Sequence, residues 1–281
     1  MTALGIIAGG GELPVAVAQS ATEAGRSVFI VALTGSADSG ITRFTHEWCG
    51  IGEVGKTLKL LRAHDCDEVL LVGRVARPKF SEIKLDAKGL LLLPKVIAAA
   101  RQGDDALLRT LVSSFDAEGF RTVGVEQAAP GLIATKGLLG ALKPSADNLE
   151  DIALAVKVVR QLGALDIGQA VAVCDGLVLA VEAAEGTDAM IARVGSLPEA
   201  IRGAPAKRRG VLVKALKPAQ DRKTDLPVIG IDTVRNAASV GLAGIAIEAG
   251  RSLVINRSGI IEAANAAGIF VLAFAPEDYA G

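Results

Sequence analysis

The most constraining feature of this chain is the alternation, through its first 125 residues, of short apolar runs with helical stretches. The runs Leu4–Ala8, Ser27–Leu33, Glu68–Gly73 and Arg121–Val125 read as strands. Between them, Pro14–Ala24, Glu53–His64, Asp86–Ala100 and Asp104–Glu118 read as helices. Strands that alternate with helices make a parallel sheet covered on its faces, so the fold class is α/β. The stretch "APGLIATKGLLGALKPSADNLED" has the turn residues and broken pattern of a connection. It sets a first domain at 1–132, a linker at 133–148 and a second domain at 149–281. The second opens with a helix over Leu149–Leu162 and then a hairpin, with Asp175-Gly176 as its two-residue turn. Further apolar runs, "GVLVKAL", "VIGI", "GIAIEAG" and "GIFVLAF", follow between helical stretches.

Two glycine motifs invite a phosphate reading. In "LGIIAGGGELP" a strand runs through Gly9, Gly10 and Gly11 into a helix, a geometry that offers backbone N–H groups and a positive helix end to an anion. A dinucleotide fingerprint would want a third glycine where Pro14 stands, and "SVFIVAL" runs into Thr34 and Gly35 with no acidic residue for a ribose hydroxyl. A plain turn and a phosphate-facing loop remain open; an NAD site does not. The second motif, "GIGEVGKT" over 50–57, matches both the P-loop and the dinucleotide patterns, and with 32 glycines in 281 residues such matches come cheaply. The preceding "FTHEWC" is not the buried apolar strand a P-loop follows, and no carboxylate ends "EVLLVGR". A helix start with Lys56 on an exposed face is the expected reading.

Composition removes several classes. The 30 basic and 31 acidic residues nearly cancel and aromatics are 3%, which argues against nucleic acid as a partner. Cys49, Cys66 and Cys174 are isolated, so a reducing cytoplasm fits better than a disulfide framework. The richest apolar run, "GLLLLPKVIAAA", is broken by Pro94 and Lys95 well short of a span, although mean hydropathy is high at +0.43. With only His46 and His64, the sequence argues against a histidine-rich dinuclear metal site, and the lack of a G-x-S-x-G elbow argues against a serine hydrolase.

Polar chemistry gathers in two stretches of the second domain. "EAAEGTDAMI" sets Glu182, Glu185 and Asp188 around Gly186 and Thr187; Thr187 suits a helix cap, and the carboxylates suit Mg²⁺. "LVKALKPAQDRKTDLPVIGIDTV" brings Lys214 at a strand end, then Lys217, Arg222 and Lys223 for phosphate oxygens, with Asp221, Asp225 and Asp232 as hard ligands. A solvated loop remains the alternative for both.

The motifs "IIAGGGELP", "VGRVARP", "EGTDAMI", "KPAQDRKTDLPVIGIDTV" and "GLAGIAIEAG" resemble, across essentially the whole chain, the UDP-2,3-diacylglucosamine pyrophosphatases of Gram-negative lipid A biosynthesis, the type unrelated to metallophosphoesterases. The resemblance implies hydrolysis of UDP-2,3-diacylglucosamine to 2,3-diacylglucosamine 1-phosphate (lipid X) and UMP with Mg²⁺. It implies a Rossmann-like N-terminal domain, an unusual C-terminal α/β domain carrying the catalytic loop, and a homodimer with exchanged domains. The aspartate of "TDLP", here Asp225, is implied to be catalytic. Carried over onto the matched motifs, the resemblance implies Gly10, Gly11, Leu13, Pro14, Gly73, Arg74, Gly186, Thr187, Lys214, Lys217 and Thr233 as expected substrate contacts, with Asp188, Asp221 and Asp225 as expected metal ligands. A cytoplasmic protein, at most peripheral to the inner membrane, is expected. The competing classes are a non-catalytic nucleotide-sugar or phospholipid-binding module and a P-loop phosphotransferase.

Overall fold

The computed structural model describes residues 3–75, 83–216 and 226–279. The chain divides into two compact units between Leu132 and Ile133.

In the first unit β1 (Ala3–Ala8), β2 (Val28–Leu33), β3 (His46–Cys49), β4 (Cys66–Val72) and β5 (Arg121–Thr122) form one sheet in the order β3-β2-β1-β4-β5. Every pairing is parallel. Central strands covered on both faces need apolar side chains throughout, which is why β1 and β2 read as unbroken apolar runs. The helices are α1 (Leu13–Glu23), α2 (Val54–Ala63), α3 (Ala87–Ala100), α4 (Asp104–Ala117) and a single turn, α5 (Val125–Ala128). Leu58 and Leu61 of α2 pack with Phe29 and Val69 of the sheet. "HEWC" is not a buried apolar strand but the sheet edge β3, which the sequence alone did not assign: it buries only Cys49, so it lacks the apolar signature of its neighbours. The strand expected over 121–125 ends at Thr122, because the chain turns at Gly124 into α5.

The second unit holds β6 (Gly137–Leu138), α6 (Ala146–Ala164), β7 (Ala170–Cys174), β8 (Leu177–Val181), α7 (Gly186–Gly195), α8 (Glu199–Arg202), β9 (Gly203–Ala204), β10 (Lys207–Arg208), β11 (Val211–Lys214), β12 (Val228–Ile229), α9 (Ile231–Ser239), β13 (Gly244–Glu248), β14 (Leu253–Val254), α10 (Arg257–Ala267) and β15 (Phe270–Phe274). Its main sheet runs β6-β15-β13-β11-β7-β8, parallel through β11, β13 and β15 and antiparallel at both margins. The two-residue alternation of side chains splits β11 between two cores. Val211 and Val213 pack with Ile152, Val156 and Val159 of α6, whereas Leu212 joins Met190 of α7, Val234 of α9 and Ile260 of α10. The Asp175-Gly176 turn forms as expected, with φ of 51° and 76°, and its two N–H groups donate to the Asp151 carboxylate at 3.0 and 2.8 Å.

Residues 133–148, expected as a linker, are woven into this second unit. Ala134 donates its N–H to Ser252 at 2.8 Å, β6 pairs with β15, and Leu139 donates to Val271 at 2.8 Å. Ser145 then caps α6 in a reciprocal capping box with Asn148, so the helix starts at Ala146. Among the described residues no helix is long and apolar enough to cross a membrane.

Candidate functional site

The strand order of the first unit reverses between β1 and β4, and at such a switch point the loops leaving neighbouring strands diverge and open a crevice beyond their carboxyl ends. Here the loops after β1 and after β4 clasp each other. Gly10 and Arg74 exchange two backbone hydrogen bonds, both 2.8 Å. The approach is too close for side chains: a Cβ on Gly9 would lie 2.6 Å from the Arg74 carbonyl oxygen, and one on Gly73, at φ 99°, would lie 2.8 Å from both Gly9 C and Pro14 Cγ. The glycines therefore let two backbones meet and put Arg74 in place. Its exposed guanidinium lies over Gly11, with Nε and Nη2 each 3.6 Å from the point a Gly11 Cβ would occupy. Helix α1 begins immediately after, at Leu13, with Pro14 in the first turn where its missing N–H costs nothing. The expected set Gly10, Gly11, Leu13, Pro14, Gly73 and Arg74 is thus one cluster, and a fork of N–H donors beside a glycine turn suits phosphate oxygens. Asp38, in the loop beyond the end of β2, accepts the Gly11 N–H at 2.6 Å and so belongs to the glycine turn itself.

The second glycine motif is closed by the chain itself. A Cβ on Gly52 would lie 2.3 Å from the Lys84 carbonyl oxygen. Where a P-loop would hold a phosphate, the Asp86 carboxylate accepts N–H donors from Lys56 at 3.1 Å and from Gly89 at 2.8 Å. Partial burial works against that charge, but backbone donors from Gly89, Lys56, Gly55 and Lys88 prevail and hold the Asp86 carboxyl below its usual range. Lys56 donates to the Trp48 carbonyl at 2.8 Å. The helix-start reading of "GIGEVGKT" holds.

In the second unit Lys214 ends β11 and is buried, its Nζ donating to Thr187 Oγ1 at 2.9 Å and to the Val228 carbonyl at 3.0 Å. Thr187 in turn donates its hydroxyl proton to Glu182 Oε1 at 2.7 Å, and Glu182 Oε2 accepts from the Gln169 N–H at 3.1 Å. Thr187 is accordingly not the helix cap expected of it; Glu185 holds that position, and Thr187 joins the buried Glu182 to the buried Lys214. Glu182 and Glu185, weighed as magnesium ligands, have other partners: Glu185 pairs with Arg193 at 2.6 Å. Gly186 lies at φ 80° at the start of α7, and Asp188 in the first turn accepts from Asn236 of α9 at 3.2 Å through Oδ1. Thr233 accepts the Gly230 N–H at 3.4 Å and so starts α9. Asp232 pairs with Arg235 at 3.7 Å on the exposed side of the same turn. Gly186, Thr187, Asp188, Lys214 and Thr233 thus belong to three neighbouring elements, the end of β11 and the starts of α7 and α9. Lys217, Asp221, Arg222, Lys223 and Asp225 lie outside the described residues.

Sequence reasoning missed one buried ion pair. Glu248, at the end of β13, meets Arg160 of α6 at 3.2 Å and also accepts the Leu216 N–H at 3.2 Å, two residues past Lys214. An acid closing the apolar run "GIAIE" and an arginine beside the α6 stripe were the available signals.

Two family models match the chain: the LpxI N-terminal domain over residues 3–132 and the LpxI C-terminal domain over 135–272. The chain belongs to the LpxI family. A curated LpxI protein of Caulobacter vibrioides, UDP-2,3-diacylglucosamine pyrophosphatase, is 49% identical over 278 residues, covering 99% of each chain. The boundary between the two LpxI domain matches falls where the two compact units divide.

Proposed function

We propose that this chain hydrolyses UDP-2,3-diacylglucosamine, with water cleaving the diphosphate into two phosphate monoesters, UMP and 2,3-diacylglucosamine 1-phosphate. The observation that carries the reading is 49% identity across 99% of the chain to a pyrophosphatase named for that substrate. The geometry is compatible with it. Within the first unit, Arg74 beside the Gly10–Gly11 turn suits phosphate oxygens. Within the second, Thr187 and the Val228 carbonyl hold Lys214 as a preorganised cation. Lys217 and Asp225 are assigned from the sequence motif alone, Asp225 as the carboxylate that orients or deprotonates the attacking water.

Magnesium is part of the proposal. Among the described residues no three His, Cys, Asp or Glu side chains converge as a metal site. Asp188, with one oxygen taken by Asn236, is the member of the expected set that lies within them, and Asp221 and Asp225 would complete it. Such an ion would supply charge neutralisation on the diphosphate. A homodimer and a cytoplasmic location, with at most peripheral contact to the inner membrane, complete the reading.

Phosphorus NMR of the protein incubated with UDP-2,3-diacylglucosamine, with and without Mg²⁺, tests it directly. Release of UMP supports the enzyme, and binding without turnover would replace it with a binding module. Asp225→Asn keeps the shape and removes the charge, so it should lower kcat by at least about 10³. Substrate binding and melting temperature should change little; near-normal single-turnover rates would remove Asp225 from the chemistry.

A further inference from the structure

Helix α3 has an unusual charge pattern for a surface helix. Between Asp86 and Asp104 the chain carries Lys88, Lys95 and Arg101 and no acidic residue. Ala87, Leu91, Pro94 and Ala98 recur at helical spacing and are all exposed, with Leu90 beside them. Leu90 and Leu91 keep 62% and 76% of their surface open. A water-facing helix ordinarily puts charged side chains on that stripe. Here the stripe is apolar and the cations flank it: Lys95 lies one turn on from Leu91, and Arg101 closes the helix. Next to it a groove of about 580 Å³ between α3 and α4 is lined by Ala98, Ala99 and Ala106 together with Lys95 and Arg109.

We propose that this face of α3 docks on an anionic phospholipid surface, with Leu90 and Leu91 entering the acyl boundary and Lys95 and Arg101 meeting headgroup phosphates. Leucines on one side of a short helix with cations along the margin are the chemistry of a helix that lies in a bilayer interface. The run is too short to span, so it rests on the surface instead. Charge favours lipid over a second copy of the same face, because a symmetric pairing would bring Lys95 and Arg101 against the same cations of the other copy, Lys88 being already paired with Glu118. The inference rests on the proposed diacylated substrate, whose two acyl chains favour such a surface.

Its test uses the full chain and sucrose-loaded vesicles of phosphatidylglycerol and phosphatidylethanolamine, against vesicles of phosphatidylcholine alone. The protein should pellet with the anionic vesicles and be released by salt. Leu90→Gln with Leu91→Gln should weaken that partition by at least about tenfold, while turnover of detergent-dispersed substrate stays within about twofold. Lys95→Gln with Arg101→Gln should weaken it several-fold and flatten the salt dependence. Equal binding to both vesicle types, or a leucine variant that binds as the native chain does, would overturn the proposal. So would light scattering in which the leucine variant reduces a native oligomer to a smaller species, since the face would then join two copies. If the native chain shows the expected vesicle binding but no turnover, the membrane face stands and the proposed reaction falls.

Discussion

Arg74 and Lys56 are both cations beside a glycine turn, yet the structure gives them different surroundings. Arg74 lies exposed over Gly11, whereas Lys56 donates to the Trp48 carbonyl at 2.8 Å and stands 3.8 Å from Glu53. Lys56→Ala should therefore leave turnover within a few-fold of the native rate. A loss above about a hundredfold with the fold intact, roughly 2.7 kcal/mol of transition-state stabilisation, would restore the P-loop reading. The cysteines report a different property of single residues. Burial first, and then the neighbouring carboxylates of Asp65 and Asp67, push the Cys66 thiol up to about 11. Burial and Asp175 do the same for Cys174, also to about 11. A thiol whose folded value exceeds its unfolded value near 9.0 favours the fold fully below pH 9 and stops doing so as pH passes 11. Denaturant midpoints should thus hold to about pH 9 and fall toward pH 11, and a thiol-disulfide reagent should label the folded protein slowly at pH 8. Rapid labelling of the native chain at pH 8 would contradict this.

At the scale of elements, Asp86 begins α3 and also receives the Lys56 N–H from the first turn of α2. Asp86→Ala removes one acceptor from two helix starts, so it should cost about 2 kcal/mol, the upper end for a lost cap. Urea denaturation measures this, and a change below about 0.5 kcal/mol would show that water substitutes fully for the carboxylate. Elements were legible wherever apolar periodicity is local: β1, β2, α1, α2 and the Asp175-Gly176 hairpin follow the expected spans within a few residues. Edges were not, because their side chains face water and lose the signal; β3 went unread for that reason. Contacts between residues far apart in sequence were equally hidden. Nothing in the spacing of Asp38 or Glu248 says that they meet Gly11 and Arg160, since the fold creates those distances. The cluster of Gly10, Gly11, Gly73 and Arg74 could be named from motifs, but the reason for its glycines, two backbones in contact, could not.

For the whole molecule, the resemblance implies a homodimer with exchanged domains, and light scattering at micromolar concentration should return twice the 28.7 kDa chain mass. A monomer throughout that range would remove the dimer. The clasp of Asp86 on the starts of α2 and α3 also bears on how the molecule meets the solutes around it. A carboxylate fixed 2.8 to 3.1 Å from its N–H partners competes with any free anion as an intramolecular ligand, at an effective concentration of at least roughly millimolar. A nucleoside triphosphate would have to displace that resident competitor and uncap α3 in doing so. A sequence that reads as an ATP motif is thus expected to show no ATP binding in calorimetry at millimolar nucleotide, and Asp86→Ala is the variant that would open it.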